Sequence, residues 1–185
     1  MSTALGLLGE QSYRDVTAVE IARAAGTSPA TLYQYFAGVD EIVLDAVENV
    51  AQATAMALSE FADGTWATKG LPGAEQLVVS VLDCWSEHKT VLRIVTAVAA
   101  EVDPRFVQAF KSVTRPVTRA LASAVSRPMP SASARTALVH HLVVMLVSSA
   151  GAQQRSALTA GLSGKAQRDA LVQLVHAFVA APDGG

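Results

Sequence analysis

The chain has 185 residues, of which 51% are hydrophobic and 16% charged, with a net charge of -2. That balance fits a soluble globular protein, either one unit or a small head on a larger body. Its single cysteine, Cys84, excludes an internal disulfide and a multi-cysteine zinc site.

The longest strictly apolar run in the second half, Leu142 to Val147, is six residues, against the ~20 needed to span a bilayer. Residues 1–10 carry no basic side chain, so they do not read as a signal peptide. The expectation is a cytoplasmic protein with no membrane partner. There are 34 alanines and only 5% aromatic residues, which favours helix over strand, and apolar residues repeat at three and four. The expected fold is all-α.

In chain order, a short helix is expected over residues 4–11, with a turn at 12–15. Thr17 and Glu20 have the spacing of a capping box. The helix they open carries Val19, Ile21, Ala22 and Ala25 and stops at Gly26. Ser28-Pro29 begins another, with Ser28 as N-cap and Pro29 at the first helical position, ending near Phe36. A long helix follows over 39–61, with Ile42, Val43, Val47, Val50, Ala51 and Ala57 on one side, then a loop reaching Pro72-Gly73. Helices are expected over 74–88 and 90–100. Another starts at Asp103-Pro104 and could reach Ser126, with Pro116 expected to end or kink it. After a proline–serine linker at 128–131 come helices over 132–158 and 165–181. These divide into a head at 1–46 and a body at 47–185.

The pair of helices joined by a glycine-containing turn has helix-turn-helix spacing. Ala22 and Ala25 are small where the rods approach, and Gly26 permits the reversal. On the second rod only Leu32 and Phe36 look necessary to a core. Thr31, Tyr33, Gln34 and Tyr35 would face outward, supplying hydroxyls for phosphate and hydrogen-bonding groups for base edges.

With Leu8-Gly9-Glu10-Gln11, Tyr13, Thr17, Ile21-Ala22, Ala25-Gly26-Thr27-Ser28, Thr31-Leu32-Tyr33, Tyr35-Phe36 and Leu44, the sequence resembles the TetR family of transcriptional regulators. From Trp85 to Arg93, and in the two final helices, it is also similar to that family's ethionamide-repressor branch. The resemblance implies phosphate contacts from Thr17, Tyr33 and Tyr35. It places Ser28, Pro29, Ala30, Thr31 and Gln34 at or near base edges, where Thr31 can meet a thymine methyl and Gln34 can pair with adenine, and it adds Thr27 to the DNA-binding set. The alternative is a three-helix head that only packs. The chain departs from the family at position 39, where Val replaces the usual lysine. The side chains of residues 1–38 sum to -1, although phosphate neutralisation supplies most nonspecific affinity. Either the native start lies upstream, or binding is weak and leans on a dimer and on backbone N–H groups.

In the body, residues 142–147 are apolar all round their helix, which must then be covered on both sides. With a Leu171, Leu174, Val175 and Phe178 stripe, they suggest a two-fold four-helix interface that includes His141, Val144 and Ser148. The other reading is the internal core of a monomer. A homodimer would place two heads on half-sites about 34–36 Å apart. The resemblance implies a small-molecule effector pocket, for which Met56, Trp66, Trp85, His88, Phe106, Phe110, Thr114, Met145 and Ser148 are the candidates. His140 and His141 point about 100° apart on a helix and cannot chelate one metal. Neither metal nor cofactor is expected, and no catalytic motif appears. The expected function is a ligand-released repressor of a double-stranded DNA operator. The alternative is a helical ligand-binding or interaction protein with weak or lost DNA binding.

Overall fold

Helices form wherever apolar residues recur at helical spacing between capping signals. The computed structural model describes residues 2–101, 103–126, 128–153 and 163–180. Within them run α1 (Ser2–Glu10), α2 (Ala18–Ala24), α3 (Pro29–Tyr33), α4 (Val39–Ala57), α5 (Leu71–Glu87), α6 (Lys89–Ala99), α7 (Pro104–Ala124), α8 (Ala132–Gln153) and α9 (Gly164–Val179). Short 3-10 turns cover Ser59–Phe61 and Thr65–Lys69. No strand occurs among the described residues; the fold is all-α.

Packing groups the chain differently from a consecutive cut after residue 46. One compact unit holds residues 1–52 with 88–113, and the other holds 53–87 with 114–185. In the first, α1 packs on α2 and α6, and α2 on α3. Its buried side chains include Leu8, Ile21, Ala22, Ile42, Val43, Leu92, Val95 and Phe106. In the second, α5 packs on α8 and α9 around Leu77, Val78, Val81, Leu121, Leu146 and Val175.

Several expectations change. The helix expected over 39–61 ends at Ala57, with Ser59–Phe61 a 3-10 turn that buries Phe61, and the stretch expected as a loop before Pro72-Gly73 contains a second 3-10 turn that buries Trp66. Gly64 (φ +82°) makes this possible: a Cβ there would sit 2.6 Å from the Ser123 backbone, and the left-handed region favours glycine. Trp66 donates its indole N–H to the Ala120 carbonyl at 3.2 Å. Pro116 does not end α7, which runs on to Ala124; eight residues beyond a missing N–H, packing outweighs the local cost. The expected helix over 132–158 is helical to Gln153, and the rest lies outside the described residues. The end of α7 is fastened from α8, because Arg135 donates to the carbonyls of Ala122 (3.0 Å) and Val125 (2.6 Å).

By length and mean hydropathy (1.2), residues 132–151 would suffice to cross a bilayer, although the strictly apolar run is short; a third of that window, 33%, is buried inside the protein. The exposed residues of α8, among them Thr136, Ala137, His140, His141, Val144 and Ser148, form one side of the helix.

Candidate nucleic-acid interface

The helix-turn-helix is built by local bonds that the sequence specifies. Thr17 caps α2: its Oγ1 accepts the Glu20 N–H at 3.2 Å, and Glu20 Oε2 accepts the Thr17 N–H at 2.8 Å. Glu20 Oε2 also takes the Thr17 hydroxyl at 2.8 Å. The hydroxyl expected to reach phosphate is therefore already donated to a carboxylate. The Thr17 backbone N–H, followed by its side chain, holds the Glu20 carboxyl below the usual range. Gly26 turns the chain at φ +68°. Its N–H and that of Thr27 return to the Arg23 and Ala22 carbonyls.

Ser28 then caps α3, accepting the Thr31 N–H at 3.0 Å, and its hydroxyl lies 2.8 Å from that of Thr31. Only one hydrogen is shared between the two oxygens, so the other hydroxyl hydrogen points elsewhere. No residue of α3 is buried. Ser28, Pro29, Ala30, Thr31 and Gln34 are exposed, Thr27 is half-buried, and Tyr33 and Tyr35 are 53% and 75% exposed. Leu32 and Phe36 are half-buried as well. Apart from Thr27, the side chains singled out for DNA are exposed, whereas the reading as mere packing has Tyr33 and Tyr35 half-buried.

A second set of bonds was not foreseen. The Tyr13 hydroxyl, in the turn before α2, donates to Asp40 Oδ1 at the start of α4. Burial first, and the Asp40 hydrogen bond second, push the Tyr13 hydroxyl pKa up. Asp40 Oδ2 accepts from Arg105 at 2.8 Å, and the same guanidinium donates to Asp103 at 2.9 Å. Asp103 first and Asp40 second raise the Arg105 pKa, and the Arg105 side-chain hydrogen bond is the main cause holding Asp103 low. Phe106 meets Tyr13 edge-on at 6.3 Å. Arg14 pairs with Glu101, and Arg93 donates to the Leu8 carbonyl at 2.7 Å. Tyr13 was legible as a motif residue; its partners, 27 residues and more away, left no local signal. The start of α4 is acidic: Glu41 Oε2 accepts the Ala37 N–H at 2.6 Å. Residues 1–46 hold two arginines against six carboxylates.

The expected effector residues are distributed over both units. His88, Phe106 and Phe110 belong to the first unit, while Met56, Trp66, Trp85, Thr114, Met145 and Ser148 belong to the second. Met56 is 75% exposed and lines no interior. Phe106 is engaged with Tyr13, Trp66 is committed to Ala120, and Ser148 is exposed. Trp85 and Thr114 are buried; His88, Phe110 and Met145 are half-buried.

The expected interface stripe also divides. Leu171 and Val175 face their own core, at 5% and 0% exposure, whereas Leu174 and Val144 are both 42% exposed. Phe178 is half-buried and His141 exposed. Helix α9 is apolar on two sides, so sequence periodicity alone did not separate inner from outer.

Residues 1–46 match the model of bacterial regulatory proteins of the tetR family. Residues 58–183 match the tetracyclin repressor-like C-terminal domain. No curated protein matches the chain. Among solved structures, the fatty acid degradation regulator FadR from Bacillus halodurans is similar in fold. Its TM-score is 0.70, over 96% of this chain and 90% of that one, at 14% identity. With a helix-turn-helix head and a matching body, the chain belongs to the TetR family of DNA-binding transcriptional regulators.

Proposed function

We propose that this regulator is a cytoplasmic homodimeric repressor that leaves its operator when a small, largely apolar ligand enters the body. The observation that carries the DNA half is the outward surface of α3, where the Ser28–Thr31 hydroxyl pair sits beside exposed Tyr33, Gln34 and Tyr35. Ser28, Thr31 and Gln34 are assigned to base edges, and Tyr33 and Tyr35 to phosphate. At α2 the Thr17 and Glu20 N–H groups are used within the capping box, so the role expected of the Thr17 hydroxyl passes to the N–H groups of Ala18 and Val19.

The dimer is assigned to α8 and α9 through Val144, Ser148, His141 and Leu174. Two exposed branched apolar side chains on these helices support that assignment, since a second copy would remove them from water. The same covering accounts for the hydropathy of α8 without a bilayer. No catalytic role belongs to this reading. A ligand of this kind acts only by binding better to one arrangement of the heads than to the other.

The acidic head favours a second reading, a ligand-binding protein that has lost DNA binding. Titrating the full chain against duplex DNA flanking its own gene, at falling salt, separates the two. Binding that tightens as salt falls supports the repressor. No binding at the lowest salt, from a dimer shown to be folded, supports the second reading.

A further inference from the structure

The head has two cations, and one of them is already taken. Arg14 lies three residues before Thr17, the N-cap of α2. In a helix-turn-helix the first helix crosses the DNA backbone, so this flank is where a cation would meet phosphate. Arg14 Nη2 instead donates to Glu101 Oε1, just past the end of α6.

We infer that Glu101 is an internal competitor for Arg14, withholding it from DNA phosphate and so setting the head's affinity for a duplex. This rests on the reading of the head as DNA-binding. The two side chains are 69% and 55% exposed. A pair that wet is weakly held, and both groups are accessible to a polyanion carrying one charge per about 1.7 Å of axis. The surrounding frame does not depend on the pair. Arg93 holds α6 against α1 through the Leu8 carbonyl, and Tyr13–Asp40–Arg105 holds the start of α7 to α4. Arg14 can therefore leave Glu101 while Glu101 stays within reach, and the exchange is between one carboxylate and one phosphate. With only Arg14 and Arg23 as cations in residues 1–46, shifting one of them changes the head's electrostatic contribution substantially.

The test uses the full-length protein and a labelled short duplex of mixed sequence, titrated between about 50 and 200 mM salt. Glu101→Gln is expected to bind more tightly than wild type at low salt. Its plot of log affinity against log salt should be steeper by about 0.9 per head. For two heads its advantage then shrinks roughly tenfold across that range. Combined with Glu101→Gln, Arg14→Gln is expected to cancel the gain and return affinity and slope to those of wild type. Glu101→Ala should reproduce the slope change, which separates charge removal from any effect of the new amide on folding. An unchanged slope in both Glu101 variants overturns the competition, as does a gain that persists when Arg14→Gln is added to Glu101→Gln. If neither wild type nor variant binds at the lowest salt, the DNA-binding reading fails first, a result distinct from an unchanged slope.

Discussion

Across the first turn of α3, Ser28 and Thr31 bring their hydroxyl oxygens within 2.8 Å, and Ser28 Oγ also accepts the Thr31 N–H at 3.0 Å. The cap that starts α3 and the hydroxyls we assign to DNA are thus the same atoms.

These two roles separate by mutation. Ser28→Ala removes the cap and is expected to cost about 1 kcal/mol in stability along with DNA affinity. Thr31→Val keeps the shape and the backbone N–H donor, so its melting should stay within about 0.5 kcal/mol of wild type. Its binding should weaken on operator DNA more than on mixed sequence. Equal loss on both duplexes would assign Thr31 to phosphate instead of a base.

Acid should loosen the protein through identified carboxylates. Glu20 is held low by Thr17, Asp63 by the Thr65 N–H and then its hydroxyl, and Asp103 by Arg105. A depressed folded pKa gives stability that is full above the ordinary carboxylate values of about 3.9–4.3 and is lost as pH falls through the folded ones. Melting temperature should therefore be flat near neutrality and decline below about pH 4.5. The decline should be shallower in Glu20→Gln and Asp63→Asn; an identical profile in both variants refutes the assignment.

Trp66 anchors the turn between α4 and α5. Trp66→Phe leaves the Ala120 carbonyl without its indole donor and reduces the buried ring, and is expected to cost about 1–3 kcal/mol. Gly73→Ala should cost more, because its Cβ would lie 1.9 Å from the Trp66 carbonyl oxygen. Denaturant unfolding of both variants measures the order.

Leu174→Asp and Val144→Asp place charge on the face assigned to the second copy. Each is expected to keep its helical circular dichroism but sediment at the monomer mass of 19.2 kDa, with weaker operator binding. Dimers that persist in both variants would move the interface elsewhere. Leu171→Asp, at a buried position, should instead unfold the body.

The parts of the fold encoded locally were readable. Thr17 with Glu20, Ser28 with Pro29, and Gly26 each act within four residues, and the structure forms the caps and the turn they specify. Pro116 was misleading because a helix with Val113, Val117, Ala120 and Leu121 buried along one side tolerates one missing bond. Trp66 reads as a loop residue in the sequence, since 3-10 turns have no distinct periodicity. The outward surface of α3 followed from its residue types. The Asp40–Arg105 and Arg14–Glu101 pairs, 65 and 87 residues apart, depend on tertiary approach and left no trace in spacing.

The pair of hydrogen bonds that Arg135 donates to the Ala122 and Val125 carbonyls has a practical side. Because a guanidinium answers the last carbonyls of α7, the corner does not need its connecting segment for geometry. Residues 128–130, ahead of the Ser131 cap of α8, should then accept a protease site or a tag: a nicked chain would keep its two ends docked, and a reporter inserted there would ride on a native scaffold.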